Sequence, residues 1–132
     1  MRVYVGSGLE NRDRVAMVLE YCVHVGHQIT YNWTRHGDVR REGPDVMNYV
    51  STNEVRAVRD AELVLILLPG GKGTHIELGV ALGSRGNKRI LLWSEDPAVF
   101  EDPELTCVFY QHPAIERLCC SFAELFEHIP VY

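Results

Sequence analysis

The feature that most constrains the fold is an unbroken apolar run, Leu63–Leu68, followed by a glycine-rich loop and a short helix. A strand that is covered by helices on both faces has a continuous apolar sequence of this kind. Pro69 ends the run, and the loop after it contains Gly70, Gly71 and Gly73. Glycine permits positive φ angles and a close approach of the backbone to a ligand. We therefore predict a central parallel strand whose carboxyl end carries a ligand loop, because open α/β sheets bind ligands there.

The helix after this loop carries a carboxylate, Glu77, which has two interpretations. Thr74 is a preferred N-cap residue, and Glu77 follows it at the spacing of a capping box. In the other interpretation Glu77 is a reactive group, because three glycines and Lys72 exceed what a simple strand-to-helix turn requires. A helix N-terminus also offers free N–H groups to an anionic or polar ligand. The residues alone leave both interpretations open.

The chain opens with another βα unit. Val3–Val5 predicts a short first strand, and apolar residues recur at helical spacing from about Asn11 until Gly26. The turn between strand and helix, Gly6-Ser7-Gly8, lacks the third glycine of a dinucleotide-binding fingerprint. We therefore interpret it as a tight turn as readily as a ligand loop.

A second strand, a polar loop and a long helix lie between these two units. Gln28–Tyr31 predicts the strand, and Trp33 at its exit suits a core position and a stacking wall for a planar ligand equally well. The helix covers much of Pro44–Asp60, and it starts either at the beginning of this range or at Ser51. A capping box that begins at Ser51 ends at Glu54. Glu54 is therefore either a cap or a second carboxylate near the strand ends.

The remaining residues complete an alternating pattern. We predict a fourth strand over Arg89–Trp93, a fifth over Thr106–Tyr110, and a terminal helix in which Ser121 and Glu124 form a capping box. The last residues, Val131-Tyr132, are typical of a frayed end. Five strands alternating with four helices indicate an α/β fold, a doubly wound, Rossmann-like or flavodoxin-like parallel sheet flanked by helices. With 132 residues we expect a single domain over 1–132.

The composition and the motifs exclude several functions. The 13 basic and 18 acidic residues give a formal net charge of −5, which argues against a nucleic-acid polymer as partner. The longest apolar run is too short to span a membrane, and 4 cysteines without a CxxC pair indicate reduced thiols in the cytoplasm. The glycine loop lacks the spacing of a phosphate-binding NTPase loop, and the 6 histidines lack metal-ligand spacing. We expect neither a cofactor nor a metal.

Two of these motifs resemble the nucleoside 2-deoxyribosyltransferase superfamily, which includes the nucleoside 5'-monophosphate N-glycosidases. The stretch from Val3 to Gly8, VYVGSG, resembles the first-strand motif of the family with its tyrosine in place. The stretch from Gly73 to Gly79, GTHIELG, is similar to the signature around the nucleophilic glutamate. The similarity extends from Val3 to Trp93, and Glu54 falls where the family usually has an aspartate that faces the base.

This resemblance implies a retaining glycosyl transfer. Glu77 would attack C1′ of the sugar, Tyr4 would hold Glu77 by a hydrogen bond, and Glu54 would bond to the base or protonate it. The helix N-terminus would help to keep Glu77 ionised. The substrate would be a small nucleoside or nucleotide, bound by Gly6, Ser7, Gly8, Trp33, Gly70, Gly71, Lys72, Gly73, Thr74 and His75. The family also implies a homo-oligomer.

A departure from the family pattern favours one branch of it. The transferases tend to carry an aspartate six residues before the nucleophile, and Gly71 stands there in this chain, next to Lys72. A small residue at that position is similar to the monophosphate glycosidases, so hydrolysis of a nucleoside 5'-monophosphate is favoured over exchange of bases. Two alternatives stay open: a nucleotide-binding or signalling module without turnover, and a TIR-like NAD glycohydrolase.

Overall fold

The computed structural model describes residues 1–84 and 86–132, and its centre is a five-stranded sheet. The strands are Arg2–Ser7 (β1), Gln28–Ile29 (β2), Leu63–Leu67 (β3), Arg89–Ser94 (β4) and Ile115–Cys119 (β5). They lie in the order β2-β1-β3-β4-β5, and every neighbouring pair is parallel. This is the strand order of a flavodoxin-like, doubly wound sheet. The predicted fold class is therefore confirmed.

Helices cover the sheet between the strands. They are Arg12–His24 (α1), Pro44–Asp60 (α2), Lys72–Gly83 (α3), Ala98–Glu101 (α4) and Phe122–Leu125 (α5). The short helix α4 lies in the acidic segment after β4. Among the described residues, no helix combines the length and the apolarity needed to cross a lipid bilayer.

Strand β3 forms the middle of the core. All of its residues are buried, and it pairs with β1 on one side and β4 on the other. Full burial of a large apolar side chain contributes about 1.5–3 kcal/mol each, which explains why the strand is apolar on both faces. At its carboxyl end Leu67 pairs with Ser7 of β1. The ends of these two strands are therefore side by side.

The predicted position of the fifth strand is wrong. Val108–Gln111 is a 3₁₀ turn, in which Val108 is 77% exposed, and the strand follows it at Ile115–Cys119. The true strand lies at the edge of the sheet, where charged residues such as Glu116 are tolerated. Glu116 accepts two hydrogen bonds from the guanidinium of Arg89 on β4, each 2.9 Å long. Because these charged residues interrupt the apolar pattern, the sequence does not predict a strand at this position.

Two helix ends decide between the alternatives left open by the sequence. Helix α2 begins at Pro44 after Gly43, whose φ of 96° lies in the left-handed region, and continues without a break through Ser51. The alternative start at Ser51 is therefore wrong, and the Ser51 hydroxyl donates to the Asn48 carbonyl inside the helix. The terminal helix begins as predicted, because the Ser121 hydroxyl accepts a hydrogen bond from the N–H of Glu124.

The expectation of a frayed C-terminal end is also wrong. The Tyr132 N–H donates to the carbonyl of Val25 at 3.0 Å, and the Tyr132 ring lies 6.2 Å from the ring of His27 in an edge-on arrangement. The end of the chain is thus held against the turn between α1 and β2.

Candidate active site

The chain adds β2 on one side of β1 and β3 on the other, so the strand order reverses between β1 and β3. A cleft of about 550 Å³ lies at the carboxyl ends of these two strands. In open α/β sheets ligands bind at this topological switch point. The two loops that leave the strands touch there, because the Gly8 N–H donates to the Pro69 carbonyl at 3.2 Å. A Cβ atom on Gly8 would lie 3.0 Å from that carbonyl oxygen. Glycine is therefore required for the close approach of the loops.

Glu77 lies in the second turn of α3 and does not cap the helix. The N-cap is Gly71, and the Thr74 hydroxyl accepts a hydrogen bond from the Gly71 N–H at 3.2 Å. Thr74 thus occupies the capping position that the sequence pattern assigned to Glu77. The capping-box interpretation of Glu77 is wrong because the helix starts earlier, within the glycine loop. The Glu77 carboxylate therefore takes no part in capping the helix.

Glu77 is instead held by β1. The Tyr4 hydroxyl donates a hydrogen bond to Oε2 of Glu77, and both side chains are buried, with exposed fractions of 0% for Tyr4 and 9% for Glu77. Gly6 lies on the same face of β1 as Tyr4, because residues two apart on a strand point the same way. A Cβ atom on Gly6 would lie 3.0 Å from Oε1 of Glu77. Strand β1 therefore supplies both the hydrogen-bond donor and the space for the carboxylate.

Burial controls the charge of this pair. Desolvation raises the pKa of Glu77 to about 8, the hydrogen bond from Tyr4 opposes this rise, and the nearby Glu54 charge adds to it. Burial and the neighbouring carboxylates also raise the pKa of the Tyr4 hydroxyl. The expectation that the helix N-terminus keeps Glu77 ionised is corrected, since desolvation outweighs the groups that favour the charge.

Glu54 is a second carboxylate in the same cleft. It lies on α2, lines the cleft with Glu77 and is partly buried. Burial raises the pKa of Glu54, whereas the charge of His36 lowers it. Among the described residues, no protein group donates a hydrogen bond to the Glu54 carboxylate. Of these two carboxylates, Glu77 therefore has a fixed hydrogen-bond donor and Glu54 has none among the described residues.

Trp33 has the core role, one of the two that the sequence left open, and it also lines the cleft. Its indole N–H donates to the Val5 carbonyl at 2.9 Å, and its exposed fraction is 5%, which makes it part of the core. The residue nevertheless lines the cleft. Trp33 thus attaches the polar loop after β2 to β1 and forms a wall of the cleft.

Most of the predicted site residues meet in the cleft. Its lining includes Ser7, Gly8, Trp33, Glu54, Gly71, Lys72, Gly73, Thr74 and Glu77, with Tyr4 and Gly6 directly beneath the Glu77 carboxylate. The Ser7 hydroxyl already donates to the Leu67 carbonyl at 2.6 Å.

Two predicted residues face elsewhere. The His75 ring turns away from the cleft, because its Nδ1 lies 2.7 Å from the Gly71 carbonyl oxygen and its Nε2 lies 2.7 Å from the Tyr110 hydroxyl. Gly70 faces Thr74, since a Cβ atom on Gly70 would lie 2.5 Å from the Thr74 methyl group. Both residues therefore shape the loop instead of facing the cleft.

Several cleft residues were not predicted. The lining also contains Leu9, Glu10, His36, Gly37, Asp38, Val39, Arg40 and Val50. Most of them belong to the polar loop after β2, whose place at the carboxyl end of a strand was the available signal. Arg40 forms a salt bridge with Asp38 at 2.7 Å, and this contact lowers the pKa of Asp38 to about 2.

The donor groups of the site do not form a metal centre. In the described ranges, no three His, Cys, Asp or Glu side chains are grouped closely enough to hold a metal ion. The chemistry that this arrangement can perform is that of two carboxylates with different surroundings, which is the combination used for nucleophilic and acid catalysis at sugar carbons.

Comparisons with known proteins identify relatives in fold. No family model matches the sequence, and no curated protein does. The CMP N-glycosidase BcmB of Clostridium botulinum is similar with a TM-score of 0.60 and 13% identity, over 96% of this chain and 96% of that chain. A 2-deoxyribosyltransferase from Bacillus psychrosaccharolyticus is similar with a TM-score of 0.68 and 14% identity, over 98% of this chain and 93% of that chain. At these identities the likeness establishes a shared α/β fold over nearly the whole of each chain.

Proposed function

We propose that this chain is an enzyme of the nucleoside 2-deoxyribosyltransferase superfamily, and that it cleaves the N-glycosidic bond of a nucleoside or nucleoside 5'-monophosphate. The observation that carries the proposal is the buried Tyr4–Glu77 hydrogen bond at the switch point of the sheet, with Glu54 in the same cleft. The fold shared with an N-glycosidase and a deoxyribosyltransferase supports it.

In the proposed reaction Glu77 is the nucleophile. Its carboxylate oxygen forms a bond to C1′ while the bond from C1′ to the base nitrogen breaks, and the electron pair of that bond leaves with the base. Glu54 donates a proton to the departing base. Water or a second base then attacks C1′ and releases Glu77, so the configuration at C1′ is retained overall.

The surroundings of the two carboxylates support this division of roles. Burial raises the pKa of both carboxyl groups, to about 8 for Glu77. The Tyr4 hydroxyl favours the ionised form of Glu77, whereas no described group donates to Glu54. The state with Glu77 ionised and Glu54 protonated is the one that a nucleophile and a general acid require.

The loop at the start of α3 supports a monophosphate substrate. Cβ atoms on Gly71 and Gly73 would meet no heavy atom within 4 Å, so there is space beside the N-terminus of this helix. Lys72 is exposed between them and lines the cleft. Open space, a cation and the positive end of a helix dipole together suit a phosphate group. We therefore favour hydrolysis of a nucleoside 5'-monophosphate over base exchange.

A nucleotide-binding module without turnover is the second candidate. It is favoured by the pKa of about 8 for Glu77, because a protonated carboxyl group is a poor nucleophile. Such a module would bind nucleotides through the same cleft and release no base.

Base release distinguishes the candidates. We would incubate the protein with nucleosides, nucleoside 5'-monophosphates and NAD, with and without an acceptor base, and separate the products by chromatography. We expect base release from a monophosphate by the parent, none by Glu77→Gln, and unchanged release by Glu20→Gln on the exposed face of α1. Release by Glu77→Gln at the parent rate would reject Glu77 as nucleophile. Nucleotide binding without base release would favour the module, and cleavage of NAD alone would favour the glycohydrolase.

We also propose a homo-oligomer. Exposed apolar side chains surround a groove of about 650 Å³ beside α3, among them Ile76 and Phe109, which are 63% and 59% exposed. Clusters of exposed apolar side chains are uncommon on the surface of a monomer. Sedimentation at several protein concentrations tests the proposal, and monomer at every concentration would reject it. The cytoplasm stays the predicted location, from the cysteine pattern of the sequence alone.

A further inference from the structure

We infer that Tyr110, acting through the ring of His75, is a positioning residue that fixes the glycine loop at the start of α3 for the phosphate group of the substrate. The inference rests on the proposed function, in which this loop receives a 5'-phosphate. It concerns the contact between α3 and the 3₁₀ turn Val108–Gln111.

The glycine loop has a conformational freedom that it must lose when it holds a ligand. Gly70, Gly71 and Gly73 follow one another closely in the sequence, and glycine loses more conformational freedom on ordering than any other residue. A loop that becomes ordered only when the ligand arrives binds more weakly, because the ordering costs free energy. Contacts that fix the loop beforehand therefore strengthen binding.

Both backbone polar groups of Gly71 are held in place. Its N–H donates to the Thr74 hydroxyl at 3.2 Å. Its carbonyl accepts two hydrogen bonds from His75, one from the backbone N–H at 3.2 Å and one from Nδ1 of the ring at 2.7 Å. Because a carbonyl oxygen only accepts hydrogen bonds, Nδ1 carries a hydrogen. The His75 ring therefore holds the carbonyl of the residue that caps α3.

The other nitrogen of the His75 ring contacts Tyr110. Nε2 lies 2.7 Å from the Tyr110 hydroxyl, and the two rings are stacked, with centroids 5.8 Å apart and an angle of 24° between their planes. Burial raises the pKa of Tyr110, so the hydroxyl keeps its hydrogen and donates it to Nε2 of the neutral ring. The orientation of the His75 ring is thus set by hydrogen bonds at both nitrogens.

Tyr110 is itself firmly anchored. Its exposed fraction is 4%, and its ring lies edge-on to Phe100 at a centroid distance of 6.1 Å. The Tyr110 carbonyl accepts a hydrogen bond from the guanidinium of Arg117 on β5 at 3.0 Å, and its N–H donates to the Cys107 carbonyl at 2.9 Å. Tyr110 therefore connects the glycine loop to a part of the molecule that is fixed to the sheet.

The contact lies away from the reacting carboxylate. His75 and Glu77 are two residues apart, which places them about 200° apart around a helix, and Glu77 is held separately by Tyr4. Loss of the Tyr110 contact should therefore weaken the binding of the phosphate group without changing the reaction at C1′. The expected result is a rise in KM at constant kcat.

Binding of inorganic phosphate tests the inference without turnover. We would titrate the protein with inorganic phosphate and follow the amide ¹H–¹⁵N signals of Lys72 and Gly73. We expect Tyr110→Phe to weaken phosphate binding by about threefold to tenfold, which is the effect of one hydrogen bond between neutral groups. The control Tyr132→Phe, at a residue that is 83% exposed, should leave phosphate binding unchanged.

Variants of His75 test the route from Tyr110 to the loop. His75→Ala loses both ring contacts and should weaken phosphate binding at least as much as Tyr110→Phe does. His75→Asn keeps a side-chain N–H at the position of Nδ1, so it should restore part of the binding that is lost in His75→Ala. In the His75→Ala background, Tyr110→Phe should have no further effect, because the connecting ring is absent.

Kinetics distinguish a positioning role from a role in stability. With a nucleoside 5'-monophosphate, Tyr110→Phe should raise KM by the same factor and leave kcat unchanged. With the corresponding nucleoside, KM should not change. A role in stability alone would lower the free energy of unfolding in urea and leave both KM values as they are in the parent.

Each outcome supports or overturns the inference. Unchanged phosphate binding in Tyr110→Phe overturns it, and so does the absence of phosphate binding at the loop of the parent. A full additional loss in the double variant overturns the route through His75, and equal binding by His75→Asn and His75→Ala overturns the link to the Gly71 carbonyl. An equal rise of KM for nucleoside and monophosphate overturns the assignment to the phosphate group. Phosphate binding that depends on Tyr110, in a protein that releases no base, would instead reject the proposed reaction and leave the positioning of the loop in place.

Discussion

At the scale of single residues, the candidate site depends on what β1 places beneath Glu77. Tyr4 supplies a hydrogen-bond donor, and Gly6 supplies space on the same face of the strand. A Cβ atom on Gly6 would lie 3.0 Å from both Oε1 of Glu77 and Cδ1 of Ile66. Contacts this short force a neighbour to move. The glycine is therefore part of the geometry of the carboxylate.

The substitution Gly6→Ala tests this geometry. The added methyl group should push the Glu77 carboxylate out of line with C1′ and reduce base release by about tenfold to a hundredfold, because small misplacements of a reacting group are costly. The control is Gly79→Ala in α3, where a Cβ atom would meet no heavy atom within 4 Å. That change should stabilise the helix by about 0.5–1 kcal/mol and leave base release unchanged. Equal activity in the two variants would contradict the proposed role of Gly6.

The hydroxyl of Tyr4 gives a second prediction at this scale. In Tyr4→Phe the buried Glu77 loses its donor, so its pKa should rise further, since the hydrogen bond from Tyr4 lowers it in the parent. Base release at neutral pH should fall, and the acidic limb of its pH profile should move to higher pH, because less Glu77 is ionised. The profile is measured beside that of Tyr132→Phe, at a residue that is 83% exposed. Identical limbs in both variants would count against the assignment of this limb to Glu77.

The raised pKa of Glu77 also predicts how stability depends on pH. The carboxyl group ionises near 4.5 in the unfolded chain and near 8 in the folded protein. Its contribution to stability is therefore complete below about 4.5 and is lost as the pH rises towards 8. The free energy of unfolding of the parent should fall relative to that of Glu77→Gln across this window and level off above it. Urea unfolding of both proteins at several pH values measures the difference, and parallel curves would disprove the shift.

At the scale of elements, the buried strand β3 could be predicted from the sequence, whereas the position of the edge strand β5 could not. β3 is covered on both faces, so its apolar run identifies it. β5 lies at the edge, and its Glu116 and Arg117 interrupt the apolar pattern. The start of α3 depends on where the glycine loop turns, which propensities do not reveal. The side chains that reach the cleft from the loop after β2 depend on tertiary contacts such as that of Arg12 with Thr34.

The corrected position of β5 can be tested by stability. Ile115 on β5 is 5% exposed, whereas Val108, in the segment that the sequence pattern favoured, is 77% exposed. We expect Ile115→Ala to lower the free energy of unfolding by about 2 kcal/mol or more, because it removes buried methyl groups. Val108→Ala should change it by less than about 0.5 kcal/mol. Chemical denaturation measures both values, and a larger loss at Val108 would place the strand in the earlier segment.

At the scale of the whole molecule, the fold collects functional groups from four separate elements at one point. The reversal of strand order between β1 and β3 brings together Tyr4, the loop before α3, Glu54 of α2 and the loop after β2. The chain as a whole carries a formal charge of −5, which repels an anionic substrate. A local cation and a helix N-terminus at the cleft are therefore important for any nucleotide that binds there.

This balance of charge gives a prediction for Lys72, which is exposed at the start of α3 and lines the cleft. In Lys72→Gln we expect the KM for a nucleoside 5'-monophosphate to rise by about fivefold, which corresponds to the ~1 kcal/mol of an exposed charge pair. The KM for the corresponding nucleoside should not change, because the nucleoside carries no phosphate.

The control variant is Arg56→Gln, at an exposed position of α2 outside the cleft. It removes one positive charge from the molecule without touching the cleft. Since salt screens such pairs, the difference between the two substrates should shrink as ionic strength rises. An equal rise of KM for nucleoside and monophosphate would mean that Lys72 acts on the sugar or the base, and the phosphate would then have to bind elsewhere in the cleft.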